Sequence, residues 1–293
     1  MAWIAIRLAR LISCDSAALG NRYPFQQASP ILHRCFSSLA VRRDHAHSPF
    51  ALDATFVEAP LTSIRLEAEQ IYSLSLDISS SPAIMKGYTR AGQYVQLRVV
   101  GSDSNPVYMS IASPPRTAAS GSLEFLVKNS KGRTAGSLCN LKRGDKVEVS
   151  PIKGSGFAIE RLYPAEDFPT VLLFATGTGI SSVRSLIESG FDALKRSDVR
   201  LYYGTRNLQE MAYQDKFKEW ELSGVKIIPV LSQSNAGWTG EAGYVQSSFL
   251  KEKGTMDPIR TGAILSGHRK MEEDVTSYLL VEGVKQEKIL KNF

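Results

Sequence analysis

Val171-Leu172-Leu173-Phe174-Ala175-Thr176-Gly177-Thr178-Gly179-Ile180, continued by Ser181-Ser182-Val183-Arg184-Ser185-Leu186-Ile187, is the stretch on which the reading of this chain turns. An apolar run breaks at Gly177-Thr178-Gly179 and is followed by Val183, Leu186 and Ile187 at helical spacing, which predicts strand, tight turn, helix. Glycines permit the sharp turn because no Cβ obstructs it, and the first N–H groups of a helix, at the positive end of its dipole, face an anion. Gly177, Thr178, Gly179 and Ile180 are therefore candidate contacts of a pyrophosphate. The same residues also suit an ordinary βα turn, since short glycine motifs recur by chance. The rest of the chain bears on the choice.

Downstream of Pro169 strand and helix alternate. Strands are predicted at 170–175, 199–204, 225–231 and 262–266, with a last one near 288–290. Tyr213, Phe217 and Trp220, and then Met271, Val275, Tyr278 and Leu279, recur at helical spacing and give each intervening helix one apolar face for core packing. Alternating strands and helices with right-handed crossovers make an open parallel sheet, whose ligands sit at the carboxyl ends of the strands. The Gly177 turn, Gly204-Thr205-Arg206, Ser232-Gln233 and Gly267 all fall there, so the sheet edge reads as a dinucleotide site.

Upstream, from Phe56 to Phe157, short β-branched runs alternate with turns: Ile71–Ile78, Gly92–Val99, Tyr108–Ala112, Ser122–Lys128 and Asp145–Ser150. With one helical insert at Thr134–Leu141, this predicts a small antiparallel barrel. The expected plan is a leader over 1–48, a barrel domain over 56–162 and an α/β parallel-sheet domain over 168–293.

With 293 residues, 43% hydrophobic and 22% charged, the chain has room for two cores and an ordinary globular composition. No apolar run reaches membrane-spanning length. Residues 1–48 hold six of the 35 basic side chains and two of the 29 acidic ones, so beyond them the net charge falls from +6 to +2 and the case for a nucleic-acid partner goes with it. Those 48 residues are rich in Arg and Ser, with Arg7 and Arg10 set among Trp3, Ile4, Ile6, Leu8 and Leu11. That composition predicts an organelle transit peptide, plastid ahead of mitochondrion; a disordered tail is the plainer alternative. Cys14, Cys35, His33, His45 and His47 lie in the leader, leaving Cys139 and His268. No metal site is predicted, because four-cysteine or Cys2His2 zinc and a four-thiolate iron–sulfur cluster cannot be assembled from these. A Ser-His-Asp triad could use only His268.

Ala91-Gly92-Gln93-Tyr94-Val95, Ser110-Ile111-Ala112-Ser113, Leu141-Lys142-Arg143-Gly144-Asp145, Gly177-Thr178-Gly179-Ile180, Tyr203-Gly204-Thr205-Arg206 and a C-terminal Phe293, in that order, resemble the ferredoxin–NADP reductase superfamily from about residue 56 to the end. The wording is similar to that of its plant fruit-protein-type subgroup. The resemblance implies FAD (or FMN) on the barrel and NAD(P)H on the second domain, with hydride passing from nicotinamide to flavin. The superfamily's flavin signature is Arg-x-Tyr-Ser/Thr. Ser110 matches the hydroxyl, with Ile111, Ala112 and Ser113 following it as implied cofactor contacts. Val107 and Met109 stand at the Arg and Tyr positions, and Tyr108 is displaced by one, which puts it on the opposite face of a strand unless a bulge intervenes. Loss of the charge-assisted phosphate bond removes about 1.5–3 kcal/mol of anchoring unless Lys128, Arg133 or Lys153 substitutes.

Gly132-Arg133-Thr134 matches the turn whose amides meet the flavin pyrophosphate; Thr134 could equally cap the helix. Gly154-Ser155-Gly156-Phe157 resembles the loop that closes the barrel beside the flavin, or is only the turn into the linker. The nicotinamide-side motif Cys-Gly-Pro-x-x-Met reads Ser266-Gly267-His268-Arg269-Lys270-Met271, so Gly267 and Met271 match while Ser266 implies slower hydride transfer. Asn292 replaces the acidic residue before the terminal aromatic, and Phe293 is implied to stack on the flavin. Ser232-Gln233-Ser234 leaves NADH and NADPH open, and Arg206 suits either. The expected function is a flavin reductase handing electrons to a separate acceptor, a carrier protein or small molecule. The alternative is a degenerate, non-catalytic nucleotide-binding partner or sensor protein.

Overall fold

A computed structural model describes residues 55–102, 104–252 and 256–292. The leader 1–48 and Phe293, on which the transit and stacking readings fall, lie outside the described residues.

The first half contains β1 (Val57–Ala68), β2 (Ile71–Asp77), α1 (Pro82–Gly87), β3 (Tyr94–Val99), β4 (Val107–Ser110), α2 (Pro115–Ala119), β5 (Ser122–Lys128), α3 (Thr134–Cys139) and β6 (Lys146–Val149). Its strands pair antiparallel in the order β4-β3-β6-β1-β2-β5. A bridge between Ile111 and Phe125 joins the two ends into a barrel. Inside it lie Leu61, Leu74, Leu76, Val95, Leu97, Ile111, Phe125, Val127, Val147 and Val149.

β1, which sequence patterning does not reveal, is 12 residues long. Register shifts at Leu61/Ser63 and Leu66/Ala68 move its inward residues from one phase to the other, and that erases the period of two. The short helices α1 and α2 each start on a proline in the first turn and are too brief to show a helical period.

The second half contains β7 (Thr170–Thr176), α4 (Ile180–Ser189), β8 (Asp198–Thr205), α5 (Phe217–Leu222), β9 (Lys226–Leu231), β10 (Glu241–Ala242), α6 (Val245–Glu252), β11 (Thr261–Ser266), α7 (Arg269–Glu282) and β12 (Ile289–Lys291). All six strands are parallel, in the order β10-β9-β8-β7-β11-β12. The chain winds outward from β7 in both directions, so the sheet's switch point lies between β7 and β11. Along β7, Val171, Leu173 and Ala175 pack with α4 and α5, while Leu172 and Phe174 pack with α6 and α7. A strand covered on both faces reads as an unbroken apolar run.

Two sequence expectations need correcting. Tyr213 does not share a helix with Phe217 and Trp220: α5 begins at Phe217, and Tyr213 precedes it at φ 62°. The three rings pack together all the same, with the Tyr213 and Trp220 centroids 6.2 Å apart, which is why the spacing imitates a helical stripe. On α7, Met271, Val275 and Leu279 are buried, but Tyr278 is 37% exposed and lies off the core face.

The halves share apolar packing. Ala68, Ile71 and Leu126 on the outer surface of the barrel belong to the cluster that includes α4 and the β7 face. The connection is held by Arg196, whose Nη1, Nη2 and Nε donate to the carbonyls of Phe168 (2.6 Å), Leu162 (2.9 Å) and Phe191 (3.2 Å).

Candidate functional site

At the switch point the turns after β7 and β11 lie against each other. Gly177 takes φ 53°, and a Cβ there would meet nothing within 4 Å, so space lies open above the turn. Gly179 and Gly267 are glycines for the opposite reason. A Cβ on Gly179 would come 2.4 Å from Ser266 O, and one on Gly267, at φ 146°, would come 2.2 Å from Thr176 Oγ1. The Thr176 hydroxyl accepts the His268 N–H at 2.8 Å, tying the two turns together. His268, at the proline position, is the N-cap of α7, with Nδ1 accepting the Lys270 N–H at 3.3 Å. The Gly267 N–H donates to Glu272 at 3.1 Å, and burial raises the pKa of that carboxyl above its ordinary value. Thr178 O accepts the Ser181 hydroxyl at 2.8 Å. The side chains of Ile180 and Met271 belong to the core and shape the turns from beneath.

Further along the edge, the ends of β8 and β9 are cross-linked. Ser232 N donates to Thr205 O at 2.9 Å, and Gln233 N donates to Arg206 O at 2.7 Å. The Thr205 hydroxyl is engaged by Asn207 O at 2.8 Å. A Cβ on Gly204 would stand 2.8 Å from Val245 of α6. Arg206 is exposed, 3.7 Å from Glu210.

On the barrel, β3 and β4 pair without a bulge: Tyr94 opposite Ser110, Val95 opposite Met109, Gln96 opposite Tyr108, Leu97 opposite Val107. Val107 and Met109 pack on the barrel core, whereas Tyr108 is 60% exposed and shares the outer face with Ser110. No bulge corrects the phase, so Tyr108 stays on the face opposite Met109, the signature's tyrosine position, and shares the outer surface with Ser110; the Tyr94 ring meets Tyr108 edge-on at 5.8 Å. Ile111, Ala112 and Ser113 are fully buried. The N–H groups of Ile111 and Ala112 donate to Gln93 and Glu124 carbonyls, and the Ser113 hydroxyl accepts from Glu124 N, so these three support the strand from within.

Thr134 does not cap α3. Arg133 is the N-cap, and the Thr134 hydroxyl donates to Asn105 O at 2.7 Å, pinning the β3–β4 loop. Gly132 is exposed at φ 72°, and a Cβ there would meet nothing within 4 Å. Of the cations that could replace the absent arginine, Lys128 pairs with Glu210 at 2.9 Å, and Arg133 is exposed at the start of α3. The Gly154–Phe157 segment packs beside Tyr94 and Gly92. A Cβ on Gly154 would come 2.6 Å from the Tyr94 ring, and one on Gly92 would come 2.9 Å from Phe157 and 3.1 Å from Asn292 Cβ.

Asn292 connects the two halves of the site. β12 pairs Lys291 with Leu265, and continuing that register by one residue sets Asn292 level with Ser266. Its amide nitrogen donates to Ser110 Oγ at 3.4 Å, and its Oδ1, in a side chain only 3% exposed, has no hydrogen-bond partner among the described residues. Ser266, also 3% exposed, shares a 2.8 Å hydrogen bond with Ser182 of α4. Tyr94 and the contact between Asn292 and Ser110 were not recognised as site features from sequence. Period two places Tyr94 on a face, but only pairing brings it to Tyr108.

The oxidoreductase NAD-binding domain family matches residues 173–277. The chain is 46% identical over 244 residues to the fruit protein pKIWI502 of Actinidia deliciosa, covering 80% of this chain and 77% of that one. It is 28% identical over 196 residues to the CDP-6-deoxy-L-threo-D-glycero-4-hexulose-3-dehydrase reductase of Yersinia pseudotuberculosis, where it spans 66% of this chain but only 55% of the relative. The fold matches a Neisseria gonorrhoeae ferredoxin NADP+ reductase, solved with FAD and NADP, at a TM-score of 0.65 and 18% identity over 82% of this chain and all of that one. The chain belongs to the ferredoxin–NADP reductase-like superfamily of NAD(P)H-dependent flavoprotein oxidoreductases. Within it, the Actinidia fruit protein is a relative along most of both chains. FAD and NAD(P)H are the cofactors of this class.

The residues present fit a flavin ring. Asn292 carries a buried amide oxygen that has no hydrogen-bond partner among the described residues, its amide nitrogen meets the Ser110 hydroxyl, and exposed Tyr108 with half-buried Tyr94 lies on the adjoining face. Buried polar atoms seldom go without a partner, and a ring with polar edges would supply one. The fit is poorer for the flavin phosphates, since Val107 packs into the core where the superfamily has a cation.

Proposed function

We propose that this protein is a working reductase of that class. NAD(P)H lies along the edge formed by Gly177–Gly179, Thr205–Arg206, Ser232–Gln233 and Gly267, and the flavin lies against Tyr108, Ser110 and Asn292. The observation that carries the reading is Asn292, which reaches Ser110 on the barrel and stands level with Ser266 on the sheet. The flavin-side and nicotinamide-side elements therefore meet at one residue. When bound, FAD supplies the hydride-accepting ring; the chain supplies position and exclusion of water. Ser110 and Asn292 offer hydrogen-bonding groups to the ring edge, Gly177 leaves room for phosphate, and Ser266 packs beneath the nicotinamide. Electrons go on to a separate acceptor, a carrier protein or small molecule, in keeping with relatives named as reductases. The Arg- and Ser-rich leader supports plastid import, which a fluorescent fusion of residues 1–48 would test.

Absorbance of the purified protein, followed by anaerobic NADPH and then NADH, tests the reading. A flavin band bleached by one or both nucleotides is expected, and the faster donor identifies the physiological one. The packing of Val107 in place of an arginine favours the non-catalytic nucleotide binder instead. A colourless protein that takes up no added FAD would establish that second reading.

Ser266→Cys is expected to raise the turnover number, because a larger, softer atom then packs against the nicotinamide. Losing the bond to Ser182 should lower stability by about 1 kcal/mol. Steady-state kinetics with thermal unfolding checks both, and an unchanged turnover number would remove Ser266 from the nicotinamide's surroundings.

A further inference from the structure

α4 begins directly after the Gly177–Gly179 turn, and the barrel grips it at three points along its length. The Ser185 hydroxyl lies 2.6 Å from Tyr88 OH, which also donates to Ser113 O at 2.7 Å. Arg184 Nη2 lies 2.7 Å from Glu124 Oε2 on β5. Arg116 of α2 donates to the carbonyl of Glu188 in the last turn of α4. The barrel ends of these links are tied to the strand that carries Ser110. Ser113 lies three residues beyond it, its hydroxyl accepts from Glu124 N at 3.1 Å, and Ala112 N donates to Glu124 O at 2.8 Å. The helix that carries the nucleotide turn and the strand that carries the flavin-side hydroxyl are thus fastened through the same few residues.

Arg184 is the centre of this fastening. It is 4% exposed, its Nε reaches Glu188 Oε1 at 2.9 Å, and its guanidinium carbon stands 4.8 Å from the centre of the Tyr213 ring. Burying a guanidinium is costly unless it is paired, and an apolar contact of equal volume would hold the interface as firmly. What the ion pair adds is direction: a planar fork engages two carboxylates at fixed angles. Tyr213 adds a second constraint. It is held at φ 62°, where bulky residues are rarely found, with its N–H donating to Glu67 at 3.2 Å. Such backbone persists only where the surroundings over-determine it.

We propose that Arg184 is a positioning residue for hydride transfer: its arm to Glu124 holds the Gly177–Gly179 turn in register with the Ser110 strand. The proposal rests on the reductase reading above. Transfer requires the reacting atoms to approach to about 3–3.5 Å, and a misplacement of about 1 Å lowers the rate on the order of a hundredfold. The two arms of Arg184 separate a positioning role from a structural one. Glu124→Ala cuts the arm to the barrel, whereas Glu188→Ala cuts the arm within α4 together with a 3.6 Å contact to Lys216 and leaves the arm to the barrel in place.

Stopped-flow reduction of the full-length holoprotein is the test, with wild type measured first. If wild type is not reduced, the reductase reading fails, independently of this proposal. If wild type is reduced, Glu124→Ala is expected to lower the limiting rate at saturating nucleotide about tenfold. Its KM for nucleotide and its flavin content should not change, and the long-wavelength nicotinamide–flavin charge-transfer band should weaken. Glu188→Ala should lose comparable thermal stability but keep the limiting rate within about twofold. Glu124→Leu, which cuts the same arm but fills its volume, should show the same rate loss and carries the test if Glu124→Ala does not fold. Wild-type rates and band in Glu124→Ala, or in Glu124→Leu where the alanine variant does not fold, or equal rate losses in the Glu124 variant and Glu188→Ala, would overturn the proposal.

Discussion

Gly267→Ala is expected to abolish efficient reduction by NAD(P)H while leaving the flavin bound. The residue sits at φ 146°, and an added Cβ would lie 2.2 Å from Thr176 Oγ1, 2.8 Å from Thr176 N and 2.9 Å from Thr176 O. Two of those three atoms are backbone, so no rotamer change relieves the clash. Thr176 ends β7 and leads into the Gly177 turn, and its hydroxyl holds the His268 N–H. The displacement therefore passes directly to both turns at the switch point. We expect kcat/KM for the nucleotide to fall at least about a hundredfold, equivalent to about 2.7 kcal/mol of lost transition-state stabilisation. The Tyr108–Ser110 surface on the barrel should keep its flavin band. Gly237→Ala is the matched control: its Cβ would meet only Asn235 Oδ1 at 3.7 Å. Equal kinetics in the two variants would show that the Gly267 turn is not part of the nucleotide site.

Arg196→Met is expected to cost the most stability of any substitution considered, about 4 kcal/mol, with little effect on turnover per folded molecule. The guanidinium is 7% exposed and donates to three carbonyls from three segments, Leu162, Phe168 and Phe191. The Tyr163 ring stands 5.4 Å from its carbon. Burial lowers the Arg196 pKa, but arginine titrates so high that the group remains a cation, and the bonds stay charge-assisted. Methionine fills part of the volume and leaves three carbonyls without their donor, which sets the magnitude. Urea denaturation monitored by Trp fluorescence measures it. A loss below about 1 kcal/mol would mean that water replaces the guanidinium at all three carbonyls.

The parallel half was legible because its strands are covered on both faces. Val171 to Ala175 read as one apolar run, and the glycine turn after it marks the strand end in the sequence itself. The antiparallel half was less legible. β1 changes phase twice at its bulges, and α1 and α2 are shorter than the period needed to detect them. Tyr213 shows the opposite error: a regular spacing produced by ring packing across a turn imitates a helix.

By itself, the sequence determined the fold class, the position of the glycine turn after β7 and the absence of arginine at residue 107. These depend on local order: apolar runs, glycines at turns, and the identity of one residue in a short motif. Only the tertiary structure decided that the Tyr94 ring meets Tyr108, that Thr134 bonds the Asn105 carbonyl, and that Asn292 joins Ser110 to the level of Ser266. Each of these depends on the register between strands, or on contacts between residues as far apart as Ser110 and Asn292. A one-residue slip reverses which side chains meet, and nothing in the local pattern at either end records its partner.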